Sequence, residues 1–232
     1  MKTNDRPLTD LMNAVDTGAA QLPDFQRGWV WDDGRIRALI LSVIHNFPVG
    51  AAMFLEYGNE SIHFKHKPIE GSGANPNTEP DELILDGQQR LTSLYNALYS
   101  KNPVHTKTDK GKEIDRYYYL DIEKALDPSA DDEEVVVSIP ASRQVTSDFG
   151  RKIEKDLSTR QAEFRLKMFP LNIILNSSKT NTTPTITMIR QSSGSLPTSF
   201  PKSSCRRRNM RCRSSCLIKR LPRKLCARSL RM

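Results

Sequence analysis

Hydrophobic positions recur at helical spacing in three stretches of the chain, and each stretch predicts a helix with one apolar face. The first helix covers 9–16 and ends at Gly18. The second begins at Asp32 or Asp33, either of which can cap it, and stops before Pro48. The third helix follows a short apolar strand. The three apolar stripes are Leu8, Leu11, Met12 and Val15; Ile36, Leu39, Ile40, Val43 and Ile44; and Leu91, Leu94, Tyr95 and Leu98.

Shorter apolar runs between and after the helices predict strands. These runs cover residues 51–57, 61–69, 83–85, 116–122 and 135–139. The first two runs predict a strand pair that turns around Gly58-Asn59. The charged stretch 152–167 predicts a further helix. Because short strands alternate with helices, the pattern favours an α+β domain over a doubly wound parallel sheet.

Charge divides the chain into two parts. The 232 residues are 37% hydrophobic, which is enough apolar material for one globular domain. Residues 1–170 contain 21 Lys and Arg and all 27 Asp and Glu, a net charge of −6. Residues 171–232 contain 14 Lys and Arg and no acid, a net charge of +14. We therefore expect a domain over 8–170 and a separate basic tail over 171–232. No apolar run approaches the roughly 20 residues of a membrane span, so a cytoplasmic location without membrane contact is expected.

The sequence Asp86-Gly87-Gln88-Gln89-Arg90 joins the strand at 83–85 to the third helix. A strand that turns into a helix through glycine directs the free amides of Gly87, Gln88 and Gln89 at one point, where the helix dipole attracts an anion. Alternatively, Asp86 and Gln89 form a capping box and nothing binds. Arg90 lies at the positive end of the dipole, which is unfavourable unless an anion lies nearby.

A second group of functional residue types lies upstream, on a segment that Pro23 keeps extended. Gln26 and Arg27 are followed closely by Trp29 and Trp31. A guanidinium and an amide among flat apolar side chains suit contact with phosphate and base. The alternative is that both tryptophans anchor the core and that Arg27 pairs with an acid, either Asp24 or Asp32.

Taken together, these motifs resemble the N-terminal domain of GmrSD-type, modification-dependent restriction endonucleases. The resemblance extends over about 8–170. The motifs are, in order, Pro23-x-Phe25-Gln26-Arg27-x-x-Val30-Trp31, Phe47-Pro48-Val49-Gly50, and Leu85-Asp86-Gly87-Gln88-Gln89-Arg90-Leu91-Thr92. The resemblance implies a mixed sheet with helices of the ParB/sulfiredoxin-like superfamily. It also implies a domain that binds and hydrolyses a nucleoside triphosphate with Mg²⁺, and that regulates cleavage of modified phage DNA by a nuclease domain or subunit.

The resemblance also assigns roles to matching positions. The nucleotide motif would comprise Asp86, Gly87, Gln88, Gln89 and Arg90, with Gln26 and Arg27 as the conserved upstream pair. As a hypothesis, the amides after Gly87 hold a phosphate, and Arg27 and Arg90 neutralise charge on the transferred phosphoryl group. Asp86 holds Mg²⁺ or orients a water, and one of the two glutamines positions that water. The rival hypothesis is a non-enzymatic DNA-binding or regulatory module, in which the same helix start grips a DNA phosphate. A third is an inactive fragment.

The histidines and the basic tail do not match the nuclease part of this family. The four histidines are His45, His63, His66 and His105, and none lies in an HNH pattern. We therefore expect the chain to lack the DNA-cutting domain. The tail could be a nucleic-acid-binding arm, or a zinc module built on Cys205, Cys212, Cys216 and Cys226, although paired C-x2-C spacing is absent. The favoured interpretation is a shifted reading frame that yields a disordered segment.

Overall fold

The computed structural model describes residues 6–58, 64–148 and 151–175. Its helices are α1 (Leu8–Thr17), α2 (Asp33–Ile44), α3 (Gln88–Leu98), α4 (Ile122–Leu126), α5 (Asp132–Val135) and α6 (Arg160–Arg165). Its strands are β1 (Ala20–Pro23), β2 (Met53–Glu56), β3 (His66–Lys67), β4 (Glu82–Asp86), β5 (Val104–Lys107), β6 (Glu113–Asp121), β7 (Val136–Pro140), β8 (Gln144–Ser147), β9 (Lys152–Asp156) and β10 (Met168–Pro170).

The strands form two sheets and a ribbon within the described residues. The first sheet has the order β2-β4-β1-β3, in which β1 and β4 run parallel and the outer pairs are antiparallel. The second sheet is built around the long strand β6, which pairs antiparallel with β5, β7 and β10. Strands β8 and β9 form the two-stranded ribbon. This arrangement confirms the α+β class and a mixed sheet.

The three helices with apolar stripes form as the sequence predicts, and their ends have the expected chemistry. Helix α1 ends at Gly18, which adopts the left-handed conformation with φ of 84°. Asp32 caps α2 by accepting a hydrogen bond from the Arg35 amide at 2.8 Å. All four apolar residues predicted for α3 are at most 3% exposed, so α3 lies in the centre of the core.

Two predictions of secondary structure are wrong. Strands β2 and β3 do not pair with each other, because β2 pairs with β4 and β3 pairs with β1 on the opposite side of the sheet. The buried strands β1 and β4 occupy the middle and need partners on both sides. The stretch 152–167 is not one helix: its first part is strand β9, and Thr159 then caps the short helix α6. Pairing with β8 supplies the backbone hydrogen bonds of β9.

The domain continues past Pro170 for a few residues. A short 3₁₀ helix covers Leu171–Ile173, and Leu171 is buried in the main core, against which Ile173 and Leu175 also pack. The predicted basic, disordered tail lies outside the described residues from position 176 onward. Within the described residues, no helix is long and apolar enough to cross a membrane.

Candidate functional site

Helix α3 begins without a side-chain cap. Gly87 is the N-cap residue, with φ of 94°, and its carbonyl accepts the first helical hydrogen bond from the Leu91 amide at 2.9 Å. No side chain of the described residues caps the first turn. Asp86 ends strand β4, and its carboxylate is 72% exposed rather than folded back over the helix. The capping-box alternative is therefore not formed: the first turn of α3 has no side-chain cap, and Gly87 and Gln88 are themselves buried.

The side chains of Gln88 and Gln89 join the start of α3 to the upstream segment. Gln88 is 5% exposed, and its Nε2 donates to the Arg27 carbonyl at 2.6 Å. Gln89 makes a two-way contact: Nε2 donates to the Gly28 carbonyl at 3.1 Å, and Oε1 accepts from the Val30 amide at 3.0 Å. The two motifs, about 60 residues apart in sequence, thus form one site.

Gln26 strengthens this junction from the other side. Its Nε2 donates to the Leu85 carbonyl at 2.7 Å, directly before the α3 start. The Gln26 carbonyl in turn accepts a hydrogen bond from Lys67 Nζ at 2.6 Å. The side-chain amide of Gln26 therefore bonds to a backbone carbonyl on the other side of the junction, as do the side-chain amides of Gln88 and Gln89.

The guanidinium of Arg27 is exposed and unpaired. Among the residues that the structure describes, no carboxylate lies within 4.0 Å of it, and it makes no hydrogen bond. Asp32, one of the acids considered as its partner, pairs with Arg35 at 3.2 Å and caps α2. The backbone of Arg27 is fixed by Gln88. The backbone of Arg27, a residue with an exposed guanidinium, is therefore held at the uncapped start of α3.

Arg90 remains close to the turn in which α3 begins. Its two Nη atoms donate to the carbonyls of Val49 and Ala51, the latter at 2.8 Å, and Nη2 lies 3.5 Å from Asp86 Oδ2. Gly50 lies between the two carbonyls with φ of 88°, and a Cβ there would clash with Arg90 Nη1 at 2.0 Å. The Phe47-Pro48-Val49-Gly50 motif thus helps to position the Arg90 guanidinium, a role that the sequence did not indicate. Its glycine, six residues after the end of α2, is the signal that could have revealed it.

The two tryptophans pack partly against the core, which agrees with the alternative of core anchors. The Trp29 indole donates to Ser93 Oγ on α3 at 3.0 Å, and the Trp31 carbonyl accepts from Thr106 Oγ1 at 2.7 Å. These contacts fix the residues that follow Arg27 against α3 and β5.

The residues present could hold Mg²⁺ only if a bound phosphate supplied further ligands. Within the described part of the chain, no group of three or more metal-ligating side chains occurs. Asp86 is the exposed carboxylate at the helix start. Mg²⁺ is commonly held by one or two carboxylates together with substrate phosphates and water, and one exposed aspartate fits that pattern.

Comparison with known proteins identifies the family of the chain. The model of the GmrSD restriction endonuclease N-terminal domain matches residues 8–195. The chain is also similar to an uncharacterized protein, MJ0686, of Methanocaldococcus jannaschii, with 32% identity over 177 residues. These residues are 74% of this chain and 29% of the relative, so the chain spans less than a third of that protein's length.

Proposed function

Because the chain belongs to the family of the GmrSD restriction endonuclease N-terminal domain, we propose that it binds and hydrolyses a nucleoside triphosphate. In this proposal the domain regulates cleavage of modified phage DNA in the cytoplasm by a nuclease domain or subunit. The family match supports a restriction-system role. The nucleotide chemistry rests on the geometry at the start of α3.

The observation that carries the proposal is the uncapped first turn of α3 with an unpaired arginine beside it. Free amides at a helix start bind anions, and the helix dipole adds to the attraction. Arg27 has no carboxylate partner within the described residues, so its charge is available to a ligand. A polyanion such as a triphosphate satisfies both groups at once.

Each site residue has a role in this proposal. The amides after Gly87 bind a phosphate, and Arg27 and Arg90 stabilise negative charge on the transferred phosphoryl group. Arg90 keeps its position because two backbone carbonyls orient it. Asp86 orients a water or holds Mg²⁺, which would supply charge neutralisation of the phosphate oxygens.

The glutamines hold backbone in place, in addition to the water positioning predicted for Gln88 or Gln89. Water positioning by Gln88 or Gln89 stays a prediction. The observed hydrogen bonds make both residues, with Gln26, positioning residues that hold the Arg27 backbone against the helix start. Positioning of a catalytic group matters because small displacements cost large factors in rate.

Substitution of Arg27 tests the proposal without disturbing the fold. We expect Mg²⁺ and a nucleoside triphosphate at about 100 times Kd to raise the melting temperature of the full chain by roughly 5 °C or more. Arg27→Ala should greatly reduce this shift and the release of phosphate, because it removes an unpaired cation. Arg165→Ala, which removes an exposed arginine on α6, is the matched control.

The same measurements distinguish the DNA-binding rival. If no nucleotide shifts the melting temperature, while duplex DNA binds with a steep dependence on salt, the helix start serves a DNA phosphate and the nucleotide proposal is wrong. If Arg27→Ala and Arg165→Ala behave alike, Arg27 has no part in the site.

A further inference from the structure

A cavity of about 330 Å³ adjoins the segment that carries Arg27, on the side toward β5. Trp29, Val30 and Trp31 form one wall, and Glu70, Gly71 and Asn96 contribute another. The cavity opens to solvent and has the size class of small-molecule sites. Apolar ring surface next to a few polar atoms is the usual composition of such sites.

Asn96 presents a hydrogen-bond acceptor that the protein leaves without a partner. The residue is 8% exposed, and its Nδ2 donates to the carbonyls of Glu70 at 2.9 Å and Thr92 at 3.0 Å. These two acceptors fix the orientation of the amide, so Oδ1 is the remaining atom. No donor of the described residues bonds to Oδ1. Gly71, with φ of 82°, makes room for it, because a Cβ there would clash with Oδ1 at 2.1 Å.

Glu70 supplies a second acceptor at the same cavity. Its Oε1 accepts a hydrogen bond from the Trp29 amide at 3.0 Å, which holds the carboxylate in place. Its other oxygen has no hydrogen-bond partner within the described part of the chain. On β5, the His105 imidazole that also lines the cavity already contacts Asp115 at 2.8 Å. Two acceptors, Asn96 Oδ1 and the second Glu70 oxygen, are therefore open beside Trp29 and suit a ligand with N–H donors, and Lys107, a donor, also lines the cavity.

The cavity and the helix start are connected through α3. Gln89, Ser93 and Asn96 lie at i, i+4 and i+7 on one face of the helix, along which the segment with Trp29 and Val30 runs. The axial distance from Gln88 to Asn96 is about 12 Å at 1.5 Å per residue. Val30, whose amide bonds to Gln89, also lines the cavity and is 49% exposed.

We propose that this cavity binds the base of the nucleoside triphosphate whose phosphates bind at the start of α3, with a preference for guanine. This inference rests on the proposed function. A planar base can stack on indole rings, and stacking alone does not select one base. Selection comes from the two open acceptors, the second Glu70 oxygen and Asn96 Oδ1, because guanine presents an imino and an amino N–H side by side.

Binding measurements on the full chain with Mg²⁺ test the base preference. We expect GTP to bind about tenfold more tightly than ATP, with ITP, which lacks the 2-amino group, in between. Inorganic triphosphate should bind more weakly than GTP. Glu70→Gln keeps an oxygen for the Trp29 amide but removes the second acceptor, so it should abolish most of the GTP preference and leave affinity for triphosphate unchanged. Glu154→Gln, on the exposed strand β9, is the matched control.

The outcomes separate this inference from the proposed function. Equal affinity for GTP, ITP and ATP, with no effect of Glu70→Gln, would overturn the base site and leave triphosphate binding at α3 intact. Failure of every nucleotide and of triphosphate to bind would overturn both. Binding of a guanine-containing single-stranded oligonucleotide with the same dependence on Glu70, but no binding of GTP, would assign the cavity to DNA and overturn the nucleotide proposal.

Discussion

The guanidinium of Arg90 occupies the space above the α-carbon of Gly50, where any other residue would place its Cβ. Gly50 also has φ of 88°, a conformation that only glycine adopts without strain. The positive φ and the absence of a Cβ have the same cause: the Val49 and Ala51 carbonyls lie on either side of Gly50 and both accept hydrogen bonds from Arg90. The position of one proposed catalytic cation thus depends on a residue with no side chain.

Gly50→Ala therefore tests the placement of Arg90. We expect it to displace the guanidinium, to lower the free energy of unfolding by about 1–3 kcal/mol, and to reduce the melting-temperature shift produced by nucleotide. Gly58→Ala is a matched control, because Gly58 has φ of 90° but no atom of the described residues lies within 4 Å of its added Cβ. Both variants place alanine at a positive φ, but only Gly50→Ala brings a Cβ against the Arg90 guanidinium. If both lose nucleotide response equally, the seat of Arg90 is irrelevant to binding.

At the scale of secondary-structure elements, α3 combines two tasks. Its apolar face is buried in the core, with Leu94 fully buried and Leu91 at 1% exposure. Its first turn grips the backbone of 27–30 through glutamine side chains. The helix is fixed by its core face, so these hydrogen bonds, together with the packing of Trp29 and Trp31 against the core, position the upstream segment relative to the start of α3.

Gln89→Ala should loosen this junction. The variant removes one donor and one acceptor to the backbone, so we expect the free energy of unfolding to fall by about 1–2 kcal/mol in denaturant titrations. The backbone of 28–30 should also exchange its amide hydrogens faster, the Val30 amide above all, because its acceptor is gone. Gln161→Ala, an exposed glutamine in the short helix α6, controls for the change of residue type. If the Val30 amide hydrogen exchanges at an unchanged rate, Gln89 does not hold this backbone in place.

At the scale of the whole molecule, β6 connects two hydrophobic cores. Adjacent tyrosines of this strand point to opposite faces, so Tyr118 enters the main core and Tyr119 the smaller one with Ile139, Leu157 and Met168. Each hydroxyl reaches a carboxylate: Tyr118 donates to Asp33 and Tyr119 to Glu163, both at 2.9 Å. Burial is the main cause that raises the pKa of both phenols, and the neighbouring carboxylates add to it.

These raised values predict a loss of stability in alkali. An unfolded tyrosine releases its proton near pH 10, whereas the folded protein keeps both phenols protonated above that pH. The stabilising effect is therefore complete below about pH 10 and declines as the pH rises further, by up to about 1.4 kcal/mol per pH unit for each phenol. Denaturant unfolding from pH 8 to 11 should show this decline, and Tyr118→Phe should make it shallower. Tyr57→Phe, at a partly exposed position outside both cores, should leave the slope unchanged.

The predictions from the sequence succeeded where a structure depends on neighbouring residues. The stripe of α3 and the glycine that ends α1 follow from local spacing, and both are confirmed. The partners of β2 were predicted wrongly, because nearness in sequence favoured a hairpin while burial of β4 required β2 beside it. Likewise β9 was predicted as helix, since its charged residues gave no sign of the strand that pairs with it.

For the candidate site, the sequence by itself determined that Asp86–Arg90 starts a helix after a strand and that Arg27 belongs to an extended segment. Only the tertiary structure decided that the glutamines bind backbone, that Gly50 seats Arg90, and that Trp29, Glu70 and Asn96 border one cavity. The physical reason is range: helix caps and apolar periodicity act over a few residues, whereas a hydrogen bond between residues 28 and 89 exists only once both elements have packed on the same core.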